Sequence, residues 1–295
     1  MVSRVLYRDG LMLVIDKPTG FAVHRGPKGG ESLEDHFHAL RFGLPRAPAL
    51  AHRLDRETSG CLVLGRHRKA LAALGQMFKQ GTVGKTYWAV VEGGPAEDEG
   101  RIALPLGRLD ATRGWWMKPD PNGQPAVTVW RVLGRSSLRA SHDGLSGTSP
   151  LEGEVELRRV PDAIREGGHS PALAPIATPL PTPPPQGGRE PAGARGDAQS
   201  NQLTWLALEP LTGRTHQLRV HCGAMGWPIL GDAIYGTAPR SGGPGLHLHS
   251  REIVVPIAKN REPVRVTAPV PAHMRERLSA CGWLDEGDGA ASTAA

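Results

Sequence analysis

From Arg135 to Ser200 the chain has no Phe, Trp or Tyr, yet it takes 10 of the 27 prolines and nine of the 38 glycines and contains the tract TPLPTPPPQGGREPAGARGD. A segment so poor in large apolar side chains cannot bury enough surface to offset the entropy lost on ordering. It reads as a disordered insertion, with a proline-rich docking site for a partner as the lesser alternative. On either side stand Ala126–Leu133 (AVTVWRVL) and Leu203–Glu209 (LTWLALE), each alternating or β-branched enough to be a strand. Residues 135–200 are therefore expected to be an overgrown connection between two neighbouring strands. The core must then be built jointly by residues 1–134 and 201–295, as one interrupted domain.

Within those two parts, Val5–Tyr7 and Leu11–Asp16 flank Arg8-Asp9-Gly10 as a short hairpin, and Lys17-Pro18 ends it. Ser32 opens a helix expected to reach Arg41. Ala70, Leu71, Leu74, Met77 and Phe78 have the three-and-four spacing of a second helix that stops at Gly81. A strand over Thr86–Val91 follows. Beyond the insertion, Thr215–Met225 reads as helical, Leu246–Val255 and Pro263–Thr267 as extended, and Ala272–Cys281 as a last helix. Strands outnumber helices and short turns join most of them. The fold class expected is α+β, a mixed and largely antiparallel sheet carrying flanking helices.

No apolar run is long enough to span a bilayer, and Met1–Gly10 lacks the apolar stretch of a signal peptide, so a cytoplasmic protein with no membrane partner is expected. Cys61, Cys222 and Cys281 are odd in number and contain no Cys-x-x-Cys pair, which argues against disulfides or a structural zinc. The formal charge is +6, while residues 135–200 hold seven Arg, no Lys and eight acidic residues. The remainder thus carries +7, and a polyanion is a natural partner.

Two polar clusters could carry chemistry. His52-Arg53-Leu54-Asp55-Arg56-Glu57-Thr58-Ser59-Gly60 leads directly into the apolar run Cys61–Leu64. Asp55 there either caps a turn or is a carboxylate kept ionised between two arginines, able to serve as nucleophile or base. The second cluster, Leu211–His221 (LTGRTHQLRVH), places two Arg and two His at a helix start. It is either a solvated basic face or a phosphate site. His216 and His221 are five apart and do not share a helix face, and His247 and His249 have no evident partner, so no metal site is assigned.

Taken in order, four stretches resemble the RluA-type pseudouridine synthase family: LVIDKPTGFAVHRG, HRLDRETSGCLVLGR, KTYWAVVEG and LTGRTHQLRVHCGAMGWPILGDAIYG, with LHLHSREI as the distal strand. The resemblance covers the chain outside residues 135–200 and is closest to compact members that lack an S4-like domain. It implies a central RNA-binding cleft and the isomerisation of uridine to pseudouridine in structured transfer or ribosomal RNA, by a monomer needing no cofactor. Asp55 takes the place of the family's catalytic aspartate, Tyr87 that of the tyrosine against the target base, and Arg219 that of the arginine pairing with the aspartate. Leu248 lines the base pocket, and Arg53 fills the stack that the base leaves. His52, Arg214, His216 and Gln217 take substrate-facing or supporting positions, as do Lys17 and Asp232. Gly65 stands where alanine is common, a small change in what reads as a tight turn.

Overall fold

In a computed structural model the described residues are 1–26, 29–110, 115–136, 202–257 and 261–285. Beyond Ser136, the expected insertion lies outside them.

The strands are β1 (Val5–Arg8), β2 (Met12–Lys17), β3 (Ala49–Leu50), β4 (Ser59–Gly65), β5 (Gly84–Glu92), β6 (Glu99–Ala103), β7 (Leu106–Arg108), β8 (Met117–Pro119), β9 (Val127–Arg135), β10 (Leu203–Pro210), β11 (Leu248–Val255) and β12 (Val264–Thr267). The helices are α1 (Arg68–Gln80), α2 (Gln217–Ala224) and α3 (Ala272–Ala280). The main sheet runs β1-β2-β4-β11-β5-β10-β9-β6, with β3 on β4 and β12 on β11, while β7 and β8 form a separate hairpin arm. Among the described strands every pairing is antiparallel except β4 with β11. The mixed, largely antiparallel α+β class is what forms.

Side chains on successive strand residues point to opposite faces, so each buried strand serves two cores. On one face Leu13, Ile15, Leu62, Leu64, Leu206 and Leu208 pack with Leu33, Phe37 and Leu40. On the other, Met12, Val14, Cys61 and Val63 pack against Leu74 of α1, and Val90 and Trp205 against Met274 and Leu278 of α3. All seven residues of β4 are buried, which is why Cys61–Leu64 reads as an unbroken apolar run.

Asp9 makes the first turn by accepting the Leu11 and Met12 amides, both at 2.7 Å. The helix opened by Ser32 is a 3-10 helix over Leu33–Leu40, tighter than the α-helix its spacing suggests. Helix α2 starts at Gln217, two residues later than its pattern, because His216 sits in the left-handed region at φ +53°. Strands β9 and β10 do pair, with Arg135 opposite Thr204. The flanks of the long segment are therefore sheet neighbours, and β9 runs one residue into the segment.

Gly60 and Gly65 owe their places to packing. At Gly60, φ is +101°, and a Cβ would strike the Ser250 carbonyl where β4 and β11 meet. Gly65 ends β4 rather than forming a tight turn, and a Cβ there would lie 2.7 Å from the Leu71 Cα of α1.

Candidate active site

Because β4 and β11 are parallel, with His249 beside Ser59, the segments entering both strands arrive at one end of the sheet. The loop entering β4 carries Asp55, and Leu248 opens β11. Tyr87, on β5, stands opposite Ser250. The loop is held by Lys17, fully buried, whose ammonium donates to the carbonyls of Pro18, Arg56 and Thr58 at 2.9, 2.8 and 2.8 Å. Burial brings that ammonium down to about 8, although the charges of Glu57 and Asp55 pull it upward. Lys17 is thus a support for the loop.

All nine residues proposed from the sequence, Asp55, Tyr87, Arg219, Arg53, Leu248, His52, Arg214, His216 and Gln217, line one cleft of about 370 Å³. Asp55 is the only carboxylate among its lining residues, facing Arg53, Lys79, Lys85, Arg214 and Arg219. Its Oδ2 lies 3.9 Å from Arg219 Nη1 and 3.8 Å from His216 Nε2. Burial raises the Tyr87 phenol, and the Asp55 charge adds to this against a hydrogen bond with Ser250, so Tyr87 carries its proton at neutral pH.

The expected Asp55–Arg219 pair is present but loose, and it is shared with a second carboxylate. Arg219 gives its fork to Asp232, from Nε at 2.8 Å and Nη2 at 2.7 Å, leaving Asp55 the looser approach of the third nitrogen. Asp232 is 1% exposed and also accepts the Ile234 and Tyr235 amides. Burial would raise its carboxyl, but the Arg219 bonds outweigh this and hold it below the usual range. Both of its oxygens are taken up inside the protein, by Arg219 and by these amides, in a supporting geometry.

Two positions placed with the substrate turn their polar atoms into the protein instead. Gln217 donates to Val127 O and Thr128 Oγ1 and accepts from Thr212 Oγ1 and the Arg214 amide, tying α2 to β9. His52 accepts the Val63 amide at 3.0 Å and stacks on Phe78, and burial lowers its ring to about 3. Arg214 donates to Pro125 O from the cleft edge, and exposed Arg53 reaches Thr215 Oγ1 at 2.7 Å. Leu248 is 3% exposed and forms an apolar wall.

A second, larger cavity of about 1500 Å³ shares Arg53, Asp55, His216 and Arg219 with the first and extends to Arg108, Trp115 and Arg240. Sequence reading passed over the hairpin arm and Trp115, because three-residue strands show no period. It also assigned nothing to Lys85 or Tyr235, although both lie inside recognised stretches. Among the described residues no group of three or more His, Cys, Asp or Glu could hold a metal, and no helix is long and apolar enough to cross a membrane.

The fold is that of two solved human proteins, RNA pseudouridylate synthase domain containing 4 (TM-score 0.61, 23% identity, 94% of each chain covered) and domain containing 1 (TM-score 0.59, 23% identity, 90% of this chain and 83% of that one). Sheet, cleft and single carboxylate define a class of RNA-modifying isomerase. The chain belongs to the RNA pseudouridylate synthase family, RluA type, whose profile matches residues 11–224. An RNA pseudouridine synthase of Zymomonas mobilis is 32% identical over 275 residues, covering 92% of this chain and 95% of that protein. Ribosomal large subunit pseudouridine synthase C of Vibrio cholerae is 27% identical over 286 residues, covering 93% and 67%.

Proposed function

We propose that the chain isomerises specific uridines in stem-loops of transfer or ribosomal RNA, by extruding the base and using Asp55 to break and re-form the glycosidic bond. The observation that carries this reading is the lone carboxylate among five cations in a cleft sized for one nucleotide. Extrusion costs a few kcal/mol of stacking, and a side chain must fill the gap. Arg53, exposed at the lip with a planar guanidinium, takes that place. Tyr87 is the platform against the extruded uracil, a contact worth about 1–3 kcal/mol, and Leu248 closes the opposite side. The bond from C1′ to N1 breaks, the base turns within the cleft, and C5 is joined in place of N1. No redox or group transfer is called for. Arg219 orients the Asp55 carboxylate, and Asp232 keeps Arg219 in place.

The larger cavity, with Arg53, Arg108 and Arg240 on its walls, is read as the seat of the RNA backbone. We take the acting unit to be a monomer, since the nine residues proposed from the sequence meet in one cleft within one chain. Its three buried free thiols suit a reducing compartment such as the cytoplasm.

Asp55→Asn is expected to abolish pseudouridine formation while leaving RNA binding by gel shift within a few-fold of wild type. Retained turnover in that variant would remove the mechanism. Pseudouridine mapping of total RNA from cells with and without the chain names the target, because its sites vanish in the second sample.

A further inference from the structure

Tyr235 does not line either cavity, yet it touches three residues grouped around Asp55: Asp232, Arg219 and His216. Its backbone amide donates to Asp232, the carboxylate that grips Arg219, and its ring lies under the Arg219 guanidinium at 5.3 Å. Its hydroxyl meets two groups, the Met117 amide at 3.0 Å and His216 Nδ1 at 2.8 Å.

Proton counting favours one set of directions. A backbone N–H can only donate, so Met117 occupies a lone pair of the Tyr235 oxygen. The single hydroxyl proton is then free for His216 Nδ1, the other partner of the hydroxyl among the described residues, and we assign it there, since Nδ1–H donating to the second lone pair would leave that proton without an acceptor in the protein. A neutral imidazole accepting at Nδ1 carries its own proton on Nε2. Burial lowers the His216 ring despite the nearby Asp55 charge, which keeps it neutral near pH 7. Nε2 lies 3.8 Å from Asp55 Oδ2, so the N–H is directed to the carboxylate across a gap that can shorten when substrate is bound. The backbone supports the same aim: His216 holds φ +53°, a costly conformation for a non-glycine residue and one concentrated at functional sites. The arm bearing Met117 contacts His216 a second time through Trp115, edge to face at 5.4 Å.

We propose that Tyr235 is a positioning residue: its hydroxyl, seated by the β7–β8 arm at Met117, holds His216 in the Nε2–H tautomer aimed at Asp55, so that the seating of the arm is felt at the carboxylate. This rests on the reading of Asp55 given above and adds a part to it.

Tyr235→Phe removes one oxygen and leaves the ring beneath Arg219. In the full chain, single-turnover assays on a modified RNA stem-loop should show kcat lower by about tenfold, the scale of one net hydrogen bond, with KM changed less than twofold. His216→Asn tolerates the left-handed backbone and breaks the relay at its next link. In that background Tyr235→Phe should change kcat less than twofold. Long-range 1H–15N spectra of the wild type at pH 7.5 should show the His216 ring protonated at Nε2 alone, a measurement needing no catalytic variant. An unchanged kcat in Tyr235→Phe, independent multiplying effects of the two variants, or a proton on Nδ1 each overturns the relay. A wild-type chain that forms no pseudouridine in any RNA overturns the underlying reading as well, whereas an active wild type with an indifferent Tyr235→Phe overturns the relay alone.

Discussion

Arg219 is 5% exposed and Asp232 1%, and two parallel hydrogen bonds join them. A buried pair of this kind adds little net stability, since both ions lost their hydration, but removing one partner leaves the other as an uncompensated charge. Asp232→Asn is therefore expected to lower stability by about 3–5 kcal/mol in urea unfolding and to reduce pseudouridine formation in the folded fraction. Arg219→Lys should also lose activity, because a point ammonium cannot replace a fork that spans one carboxylate while approaching another. A variant Asp232→Asn with wild-type unfolding midpoint and turnover would show that the fork has no such role. At this scale, Asp55 could be singled out because charge is concentrated around it in one short stretch, whereas Arg53 and Tyr87 were placed in the cleft only by the family resemblance. The partner of Arg219 was not, since it lies 13 residues further on and burial rather than spacing selects it. Tyr235 escaped for the same reason: its ring is ordinary in the sequence and only its hydroxyl contacts mark it.

The junction of β4 and β11 carries the site, and three histidines stand at it. His249 bonds Ser59 across the two strands at 2.9 Å, His52 accepts from Val63 of β4, and His247 precedes β11. Burial is the first cause that lowers all three, to about 3 for His52 and His249 and about 4 for His247. The unfolded chain takes up these protons near pH 6.5, while the folded chain resists them until pH 3–4. The stabilisation is thus fully present above pH 6.5 and is lost as pH falls toward the folded values, each ring adding a slope of up to about 1.4 kcal/mol per pH unit. Urea midpoints should fall clearly between pH 7.5 and pH 5.5, and His249→Asn should flatten the profile. A midpoint flat over that range would mean that these rings are not buried neutral. The long elements were legible because burial on one or both faces writes a period into them. The arm, β6 and β3 were not, as two to five residues, few of them buried, carry no period, and the larger cavity is lined in part by the arm.

The molecule as a whole joins a charge argument to a topological one. Ser136 and Leu203 exchange hydrogen bonds, Ser136 N to Leu203 O and Leu203 N to Ser136 Oγ, both 2.8 Å. The described residues on either side of 137–201 therefore meet, and a short turn can join them. That adjacency was readable from the strand patterns on either side of the proline-rich stretch. Loop closure changes only logarithmically with length, so shortening the connection should cost nothing and could stabilise slightly. Residues 137–201 contain six Arg against eight acidic residues, so removal takes the formal charge from +6 to +8. Long-range attraction to RNA is then kept or strengthened, and log affinity should still fall linearly with log salt. Replacing residues 137–201 with a four-residue Gly-Ser turn is expected to leave the thermal midpoint within a few degrees, kcat within about threefold, and the salt slope unchanged or slightly steeper. A shallower slope would place phosphate contacts within the removed segment. Loss of folding would assign it a structural part that its composition denies, since without aromatic side chains it has little with which to hold a core together.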